Sequence, residues 1–436
     1  MSRRATDGGV KKCRIHDLLR DLCISESKED KFLALHRAGN LSFPIKSRRV
    51  SFHGDDSSLL YNFSNVSDPP CARSLLFFGY FKDMNWNLFI KNFKLIQVLN
   101  FATIGFHSIP KSIETMIHLR YLSIKLSDSV SVIPDSFGNL RNLEILFIKG
   151  RDTVLDYQVS GIAGIFQLQR LRKLYLKDFL PLPCHLDEVL RNLQVLSTST
   201  CCYDGEQTFP LALDKFPCLR ELTIRFIYKQ LNSDESEKTE EFLNSLKHLV
   251  DLQILKLELF PILPSALSSF PLTITQITLN YVSLREGGGM TVLGNLPNLR
   301  ILKIKRCGIS NLHILGDSFP RLEVLKLRDL ELVEEWKQEE GAILPCLRYL
   351  VIEGCLKLTK LPPELWSLTA LQKVEVLRPN PELERMLREL QMTVSCKLVI
   401  DSVDLQPSSV GSSADIIRRP ILQVYFYFSF YFCSHF

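Results

Sequence analysis

The sequence predicts an α/β solenoid, in which short parallel strands stack in a row and the chain returns behind them after each strand. Thirteen six-residue phrases carry an aliphatic or aromatic residue at most of their first, fourth and sixth positions. They start at Ala72, Ile96, Leu119, Leu143, Leu171, Leu193, Leu219, Leu252, Ile274, Leu299, Leu322, Leu347 and Leu371. By subtraction, neighbouring starts are 22 to 33 residues apart. Apolar residues at the fourth and sixth positions of a phrase fit a strand with one buried face.

A period of twenty-odd residues with an L-x-x-L-x-L core is the pattern of leucine-rich repeats. Clear copies are LRYLSI (119–124) and LRILKI (299–304). The pattern predicts a horseshoe with a parallel β-sheet on its concave face and return segments packed behind the sheet. Proline follows an aliphatic residue downstream of several strands and suits a turning backbone there, after Ile109, Ile133, Leu182, Leu263 and Leu361. We expect short helical turns after these pairs.

Three segments follow from this pattern. Residues 47–400 form the predicted repeat domain, in which SRRVSF (47–52) is an atypical first copy and PELERMLREL (381–390) a capping helix. Residues 1–46 precede it as a short helical remnant, with one apolar face from Ile15 to Cys23 and a second possible helix at 26–35. Residues 401–436 combine a Ser- and Gly-rich stretch with a 16-residue aromatic run. Their composition predicts a disordered tail foreign to the native protein, without a stable membrane span.

The cysteines and the amino-terminal residues favour a cytoplasmic protein with free thiols. Twelve cysteines occur without a C-x-x-C pair, and no apolar export signal stands at the start. The net charge of +5 is small for this length and does not indicate a nucleic-acid partner. Cys201, Cys307 and Cys355 occupy the repeat position assigned to Asn or Cys, where a small side chain pairs with backbone groups of the turn.

The stretch Arg14-Ile15-His16-Asp17, opening an amphipathic helix, resembles the Met-His-Asp region of NLR proteins. These are plant intracellular disease-resistance receptors with a nucleotide-binding (NB-ARC) module and leucine-rich repeats. The order of segments resembles the C-terminal part of such a receptor, from the end of its winged helix onward. The resemblance implies a role in innate immunity, with the repeats recognising a pathogen effector and restraining a nucleotide switch. It also implies that His16 lies near the β-phosphate of ADP and that Asp17 supports the helix and its loop.

The sequence motifs do not support a cofactor-binding site or a catalytic site. No G-x-x-x-x-G-K-[ST] phosphate loop occurs, so we expect no cofactor here, with ADP or ATP bound only in a full-length receptor. His-Glu-x-x-His and Gly-x-Ser-x-Gly are also missing, so we expect neither an enzyme nor a metal site. An alternative function is a cytosolic adaptor such as a ubiquitin-ligase substrate receptor, which should carry an F-box-like helical module.

The candidate site is the concave face itself, onto which the third, fifth and seventh positions of each phrase point. These positions form a predominantly basic stripe with aromatic residues at intervals, which also includes Glu221, Glu258 and Glu353. The candidate partner-binding residues are Lys173, Tyr175, Lys177, Arg225, Lys256, Lys303, Lys305, Lys326, Arg328 and Tyr349. One interpretation is an ordinary solvated surface. The sharper hypothesis is a docking surface for an acidic partner, namely a pathogen effector, the receptor's own nucleotide-binding module or the acidic insertion at 234–241.

Overall fold

The computed structural model describes residues 3–4, 10–12, 17–37, 47–53, 71–78, 86–106, 109, 111–126, 133–149, 162–177, 186, 188–202, 213–228, 242–260, 263, 267–284, 288–314, 318–338, 344–390 and 396–401. Within them, sixteen strands form one sheet in sequence order, and each pairs in parallel with its neighbours. The predicted α/β leucine-rich-repeat solenoid is therefore confirmed.

The described strands, in chain order, are β1 (Arg3–Arg4), β2 (Val10–Lys12), β3 (Leu33–Arg37), β4 (Arg49–His53), β5 (Ser74–Phe78), β6 (Val98–Phe106), β7 (Tyr121–Leu126), β8 (Ile145–Lys149), β9 (Lys173–Lys177), β10 (Val195–Cys202), β11 (Glu221–Tyr228), β12 (Ile254–Glu258), β13 (Gln276–Asn280), β14 (Ile301–Lys305), β15 (Asn311–Ile314), β16 (Val324–Arg328), β17 (Glu335–Gln338), β18 (Tyr349–Glu353), β19 (Lys373–Leu377) and β20 (Lys397–Asp401). β1 pairs with β2 in an antiparallel ribbon, and β15 pairs with β17 in a small parallel sheet. The other sixteen strands form the large sheet.

The described helices are short and lie mostly in the return segments. The α-helices are α1 (Asp17–Glu29), α2 (Trp86–Asn92), α3 (Gly288–Gly294) and α4 (Pro381–Leu390). The 3-10 helices are Lys111–Thr115, Asp135–Asn139, Ile162–Gln167, Leu213–Lys215, Leu246–His248, Leu267–Ser269 and Pro363–Ser367. Of these, Lys111–Thr115, Asp135–Asn139 and Pro363–Ser367 follow three of the aliphatic-proline pairs and confirm the predicted helical turns.

The core is a continuous stack of apolar rungs behind the large sheet. In the phrase that contains β14, Leu299, Leu302 and Ile304 are 0, 0 and 1 % exposed. Leu302 pairs in register with Leu325 of β16, so equivalent side chains lie directly beside each other in neighbouring repeats. Burial of this apolar surface is the main force that holds the repeats together.

Asparagine side chains add a second link between repeats, on the return side. Each stands immediately before the first leucine of a phrase and donates its Nδ2 to a carbonyl of the preceding repeat. Asn142 reaches the carbonyl of Ile117 at 2.7 Å, and Asn298 reaches that of Leu272 at 2.9 Å. Asn192 is equivalent, at 2.8 Å from its acceptor. These bonds satisfy turn carbonyls that no sheet partner reaches.

The large sheet begins one strand earlier than the residue-47 boundary suggested. SRRVSF is an outer copy of the repeat as predicted, since it supplies the first four residues of β4, but β3 pairs with β4 on its other side. The prediction of a second helix at 26–35 was wrong, because α1 ends at Glu29 and Lys31 takes a left-handed conformation at φ 51°. The free edge of β4 offers backbone partners to residues 33–37, which outweighs their helical propensity.

The apolar face predicted for the first helix is present, but it faces solvent in the described structure. Leu18, Leu19 and Leu22 of α1 are 75, 57 and 55 % exposed. Their spacing on one face of the helix agrees with the sequence pattern. No helix in the described residues is long and apolar enough to cross a membrane.

The carboxyl end of the array contains the predicted helix and one strand beyond it. α4 buries Leu383 and Leu387 against the core, and Arg388 Nη2 lies 2.5 Å from Glu384 Oε1. The strand β20 then adds to the sheet beside β19, so the helix does not terminate the ladder. The predicted tail was set to begin at residue 401, but Asp401 is the last residue of β20. The remainder of that segment, 402–436, lies outside the described residues.

Truncation of one rung should lower stability through the cavity it leaves. We expect Leu302→Ala to lower the free energy of unfolding by about 2–5 kcal/mol, measured by urea denaturation with circular dichroism. The control Leu356→Ala, at a residue that is 62 % exposed, should shift the free energy by less than about 0.5 kcal/mol. Equal midpoints for the two variants would contradict the stacked core.

Candidate functional site

The side of the large sheet opposite the core is here called the open face. It carries the third, fifth and seventh positions of each phrase, which are partly exposed in β14 while the alternate residues are buried. The structure places nine of the ten predicted residues on this face with partly exposed side chains, namely Lys173, Tyr175, Arg225, Lys256, Lys303, Lys305, Lys326, Arg328 and Tyr349. Lys177 ends β9, and its side chain lies outside the described structure.

Strands β11 and β12 carry basic residues whose charge is balanced across the strands. Arg225 Nη2 lies 2.8 Å from Glu258 Oε2, and Lys256 Nζ contacts Glu221 Oε1. Arg225 and Glu258 are partners in the strand register, so the pair lies straight across the sheet. Such partly exposed pairs contribute only about 0–1 kcal/mol to stability. Their main effect is to remove net positive charge, so the predicted basic stripe is interrupted here.

Strands β14 and β16 concentrate positive charge instead. Lys303 pairs in register with Lys326, and Lys305 with Arg328. We call these four residues the basic patch. Arg328 Nε lies 2.9 Å from Glu353 Oε2 on the next strand, β18. The open-face positions of β14 and β16 contain no carboxylate, so these two strands place four basic side chains next to one another on this face.

A column of left-handed residues lies where the strands end. The residue directly after the open-face seventh position has φ between 48° and 68° in six consecutive repeats, at Leu259, Tyr281, Arg306, Asp329, Gly354 and Arg378. Its N–H still donates to the next strand, as from Arg306 to the Arg328 carbonyl at 3.0 Å. Such conformations are uncommon outside glycine. They persist here because the ladder continues through them.

The side chains of this strand-end column form an ion-pair network. Asp329 lies 3.5 Å from Arg306 Nε and 3.1 Å from Arg378 Nη2, and Arg378 also lies 3.3 Å from Glu353. The Arg306 guanidinium lies 5.4 Å from the ring centroid of Tyr281, a cation–π distance. Sequence reasoning missed this network. Its only signal was the recurrence of polar residues one position beyond the open face.

Glycine is required at one place in the column. A Cβ added to Gly354, which has φ +68°, would lie 2.7 Å from Asp329 Oδ1 and 3.0 Å from Arg378 Nη2. The missing side chain therefore leaves the space through which Arg378 reaches Asp329, two repeats earlier.

The upstream part of the open face is apolar and buried. Leu76, Phe78 and Val98 are 8, 6 and 5 % exposed, and Tyr121 packs against them. Burial raises the pKa of Tyr121 to about 12. These repeats were not among the predicted open-face residues, although the apolar residues at the seventh position of the first phrase and the third position of the second indicate the change.

The cysteines of the turns bond to backbone groups, as the repeat pattern predicts. Cys307 Sγ lies 3.3 Å from the Lys305 carbonyl, and Cys355 Sγ lies 3.8 Å from the Glu353 carbonyl. Burial raises the pKa of both thiols from 9.0 to about 11. The side chain of Cys201 lies outside the described structure.

The two residues that the resemblance implies for nucleotide contact have side chains outside the described structure. His16 lies outside the described residues, and Asp17 is the first residue of α1 with a side chain that is also outside them. Within the described ranges, no three His, Cys, Asp or Glu side chains group as metal ligands do.

Comparison with known proteins gives the relatives of this chain. Residues 71–265 match the family model of a leucine-rich repeat region. The chain is 28 % identical to the probable disease resistance RPP8-like protein 2 of Arabidopsis thaliana, over 87 % of this chain and 43 % of that protein. It is 30 % identical to the probable disease resistance protein RF9 of the same plant, over 87 % and 39 % respectively. The chain is a leucine-rich-repeat relative of plant disease-resistance proteins.

The chain also matches a protein from a second plant. It is 26 % identical to a putative late blight resistance protein homolog of Solanum demissum, over 90 % of this chain and 30 % of that protein. The chain thus spans less than half the length of these curated relatives. A solved leucine-rich-repeat protein of Leptospira interrogans aligns over 75 % of this chain and 90 % of its own, with 19 % identity and a TM-score of 0.43.

Filling the gap in the strand-end column should destabilise the last repeats. We expect Gly354→Ala to lower the free energy of unfolding by roughly 1–2 kcal/mol, because alanine is strained at positive φ. The matched control is Gly308→Ala, where a Cβ meets no atom within 4 Å. Urea denaturation measures both. A control variant as unstable as Gly354→Ala would argue against a specific requirement for glycine.

The buried thiols should react slowly. At pH 8 we expect Cys307 and Cys355 to resist iodoacetamide, whereas the exposed Cys218 reacts. Because burial raises the pKa of these thiols, the folded chain favours the protonated thiol. The stability that this preference contributes is fully present below pH 9 and is lost as the pH rises towards 11. Mass spectrometry of alkylated peptides measures the rates, and equal rates for all three thiols in the native chain would contradict their burial.

Proposed function

We propose that this chain serves as the sensing part of a plant disease-resistance receptor and acts in innate immunity by binding a protein on its open face. The observation that carries the proposal is the match, over 87 % of the chain, to proteins named for disease resistance. That match favours a receptor over the ubiquitin-ligase adaptor. The partly exposed polar and aromatic side chains of the open face support the mode of binding.

The open face suits recognition because a rigid sheet holds its side chains in place. Neighbouring strands lie about 4.8 Å apart, and open-face residues of one strand about 6.7 Å apart. Little ordering is then required on binding, which favours affinity. Tyr175 and Tyr349 are of a type enriched among residues that dominate interface energies. Tyr349 is held by a 2.9 Å hydrogen bond to Gln372.

The partner on this face is a pathogen effector or the receptor's own nucleotide-binding module. In this proposal, contact with the module restrains a nucleotide switch until a pathogen signal changes the contacts. Charge on the open face sets partner choice and association rate more than affinity. The charge-balanced strands β11 and β12 and the basic patch then offer surfaces of different electrostatic character.

We further propose that the chain itself is non-catalytic, acts in the cytoplasm and holds no cofactor of its own. ADP or ATP would be bound by the nucleotide-binding module of a full-length receptor, through a phosphate loop that these 436 residues do not contain. His16 and Asp17 would then assist that module.

Gene disruption tests the immune role. We expect plants without this gene to support more growth of at least one pathogen isolate, and the wild-type gene to restore resistance. A gene with Tyr175→Ser and Tyr349→Ser should restore it poorly, because losing two aromatic contacts weakens binding roughly tenfold or more.

The matched control is Lys247→Gln, at an exposed position of a return segment, which should restore resistance fully. Pathogen titre in leaves is the measurement. Unchanged growth of all isolates in the disrupted line would remove the immune role, whereas full rescue by the tyrosine variant would remove the open face from it.

A further inference from the structure

The last strand of the large sheet, β20, has one unpaired edge. It pairs with β19 on one side, and no strand of the described structure pairs with its other side. The N–H of Lys397 donates to the Gln372 carbonyl at 2.9 Å. In a parallel ladder, the N–H and C=O of one residue point to one neighbouring strand and those of the next residue point away from it. The backbone groups of Leu398 and Ile400 therefore point to the unpaired edge.

The apolar side chains of β20 are less completely covered than those of the strand before it. Val374 and Val376 of β19 are both 0 % exposed. Their register partners on β20 are Leu398, which is 7 % exposed, and Ile400, which is partly exposed. A further strand at this edge would remove apolar surface from water, and an unpaired edge is a template for such a strand.

The two ends of β20 carry opposite charges. The strand reads Lys-Leu-Val-Ile-Asp, with Lys397 and Asp401 exposed at its ends and Val399 at its centre. Neither charged side chain makes an ion pair or a hydrogen bond in the described structure. Reversing the strand direction exchanges the positive end for the negative end, so the strand is complementary in charge to a reversed copy of itself.

We propose that two copies of this chain associate by pairing their β20 edges in antiparallel orientation, with the two-fold axis at Val399. Lys397 of each copy then lies opposite Asp401 of the other, and Leu398 lies opposite Ile400. The two large sheets become one continuous sheet. This inference goes beyond the proposed function and does not depend on it.

The backbone of β20 fits this register. Residues that lie opposite each other and both point to the partner strand exchange two hydrogen bonds in an antiparallel pair. Leu398 and Ile400 are such residues. A shift by one residue would place them opposite residues whose backbone groups point to β19, and a shift by two would separate Lys397 from Asp401.

The side chains also fall on matching faces. Residues opposite each other in an antiparallel pair project to the same face of the sheet. Leu398 and Ile400 therefore extend the core of one copy into that of the other, while Lys397 and Asp401 meet on the open face.

The opposite end of the large sheet does not have this property. Strand β3 also has an unpaired edge within the described residues, but a reversed copy would place Leu33 opposite Arg37. Association through β20 alone uses the same surface on both copies, and such an interface closes at a dimer.

The test uses the full 436-residue chain in sedimentation equilibrium between about 1 and 200 μM, where we expect a monomer–dimer equilibrium. Lys397→Asp alone, or Asp401→Lys alone, should weaken dimerisation roughly tenfold or more, because both symmetry-related ion pairs become like-charge pairs. The double variant Lys397→Asp with Asp401→Lys should restore the affinity to within about threefold, since it exchanges the charges and keeps the pairing.

The matched control is Lys247→Asp, at an exposed position of a return segment. It changes the net charge as Lys397→Asp does and should leave dimerisation unchanged. Circular dichroism should show every variant folded. Hydrogen exchange adds a direct readout, because the N–H groups of Leu398 and Ile400 should exchange more slowly as concentration rises, whereas those of β18 should not change.

Four results would overturn the proposal: a chain that stays monomeric over the whole range, dimerisation unaffected by either single charge reversal, no recovery in the double variant, or assemblies that keep growing with concentration. A monomer in which Leu398 and Ile400 already exchange slowly would mean that residues after β20 cover the edge. None of these outcomes depends on the plant phenotype.

Discussion

The register between parallel strands is the constraint on which the rest of this structure depends. Because buried leucines of one repeat must lie beside those of the next, every other side chain takes a fixed place too. The open face is therefore a grid whose spacing is set by the core. The cross-strand ion pairs of β11 and β12, the rows of the basic patch and the strand-end column all follow from that grid.

Charge is distributed unevenly over this regular frame. The upstream open face is apolar around Phe78 and Val98, the middle is charge-balanced at Arg225 and Glu258, and the basic patch groups four basic side chains. The hydrophobic core does not require these differences, since all three regions stack in the same way. Residues that leave stability unaffected are free to be selected for binding.

The sequence was sufficient for the fold and for the side of the sheet on which each strand residue lies. Leucine spacing predicts the strands because burial enforces it, and the prolines of the return segments predict the helical turns. It was insufficient for β3, whose residues 33–37 become a strand only beside β4. Ion pairing was also beyond reach, because Arg225 and Glu258 are 33 positions apart and meet only once the register is known. The strand-end network depends on left-handed backbone at Asp329 and Arg378, which no composition pattern encodes.

Gly354 gives the end of the array a property that an ideal solenoid does not have. In a solenoid each repeat contacts only its neighbours, so the ends open one strand at a time. Arg378 passes over the glycine to Asp329, 49 positions upstream, and touches Glu353 on the way. Once β20 and β19 detach, Asp329 on the β16 repeat and Glu353 on β18 lose a charge partner together, so opening at this end weakens contacts two repeats away and not only in the adjacent repeat.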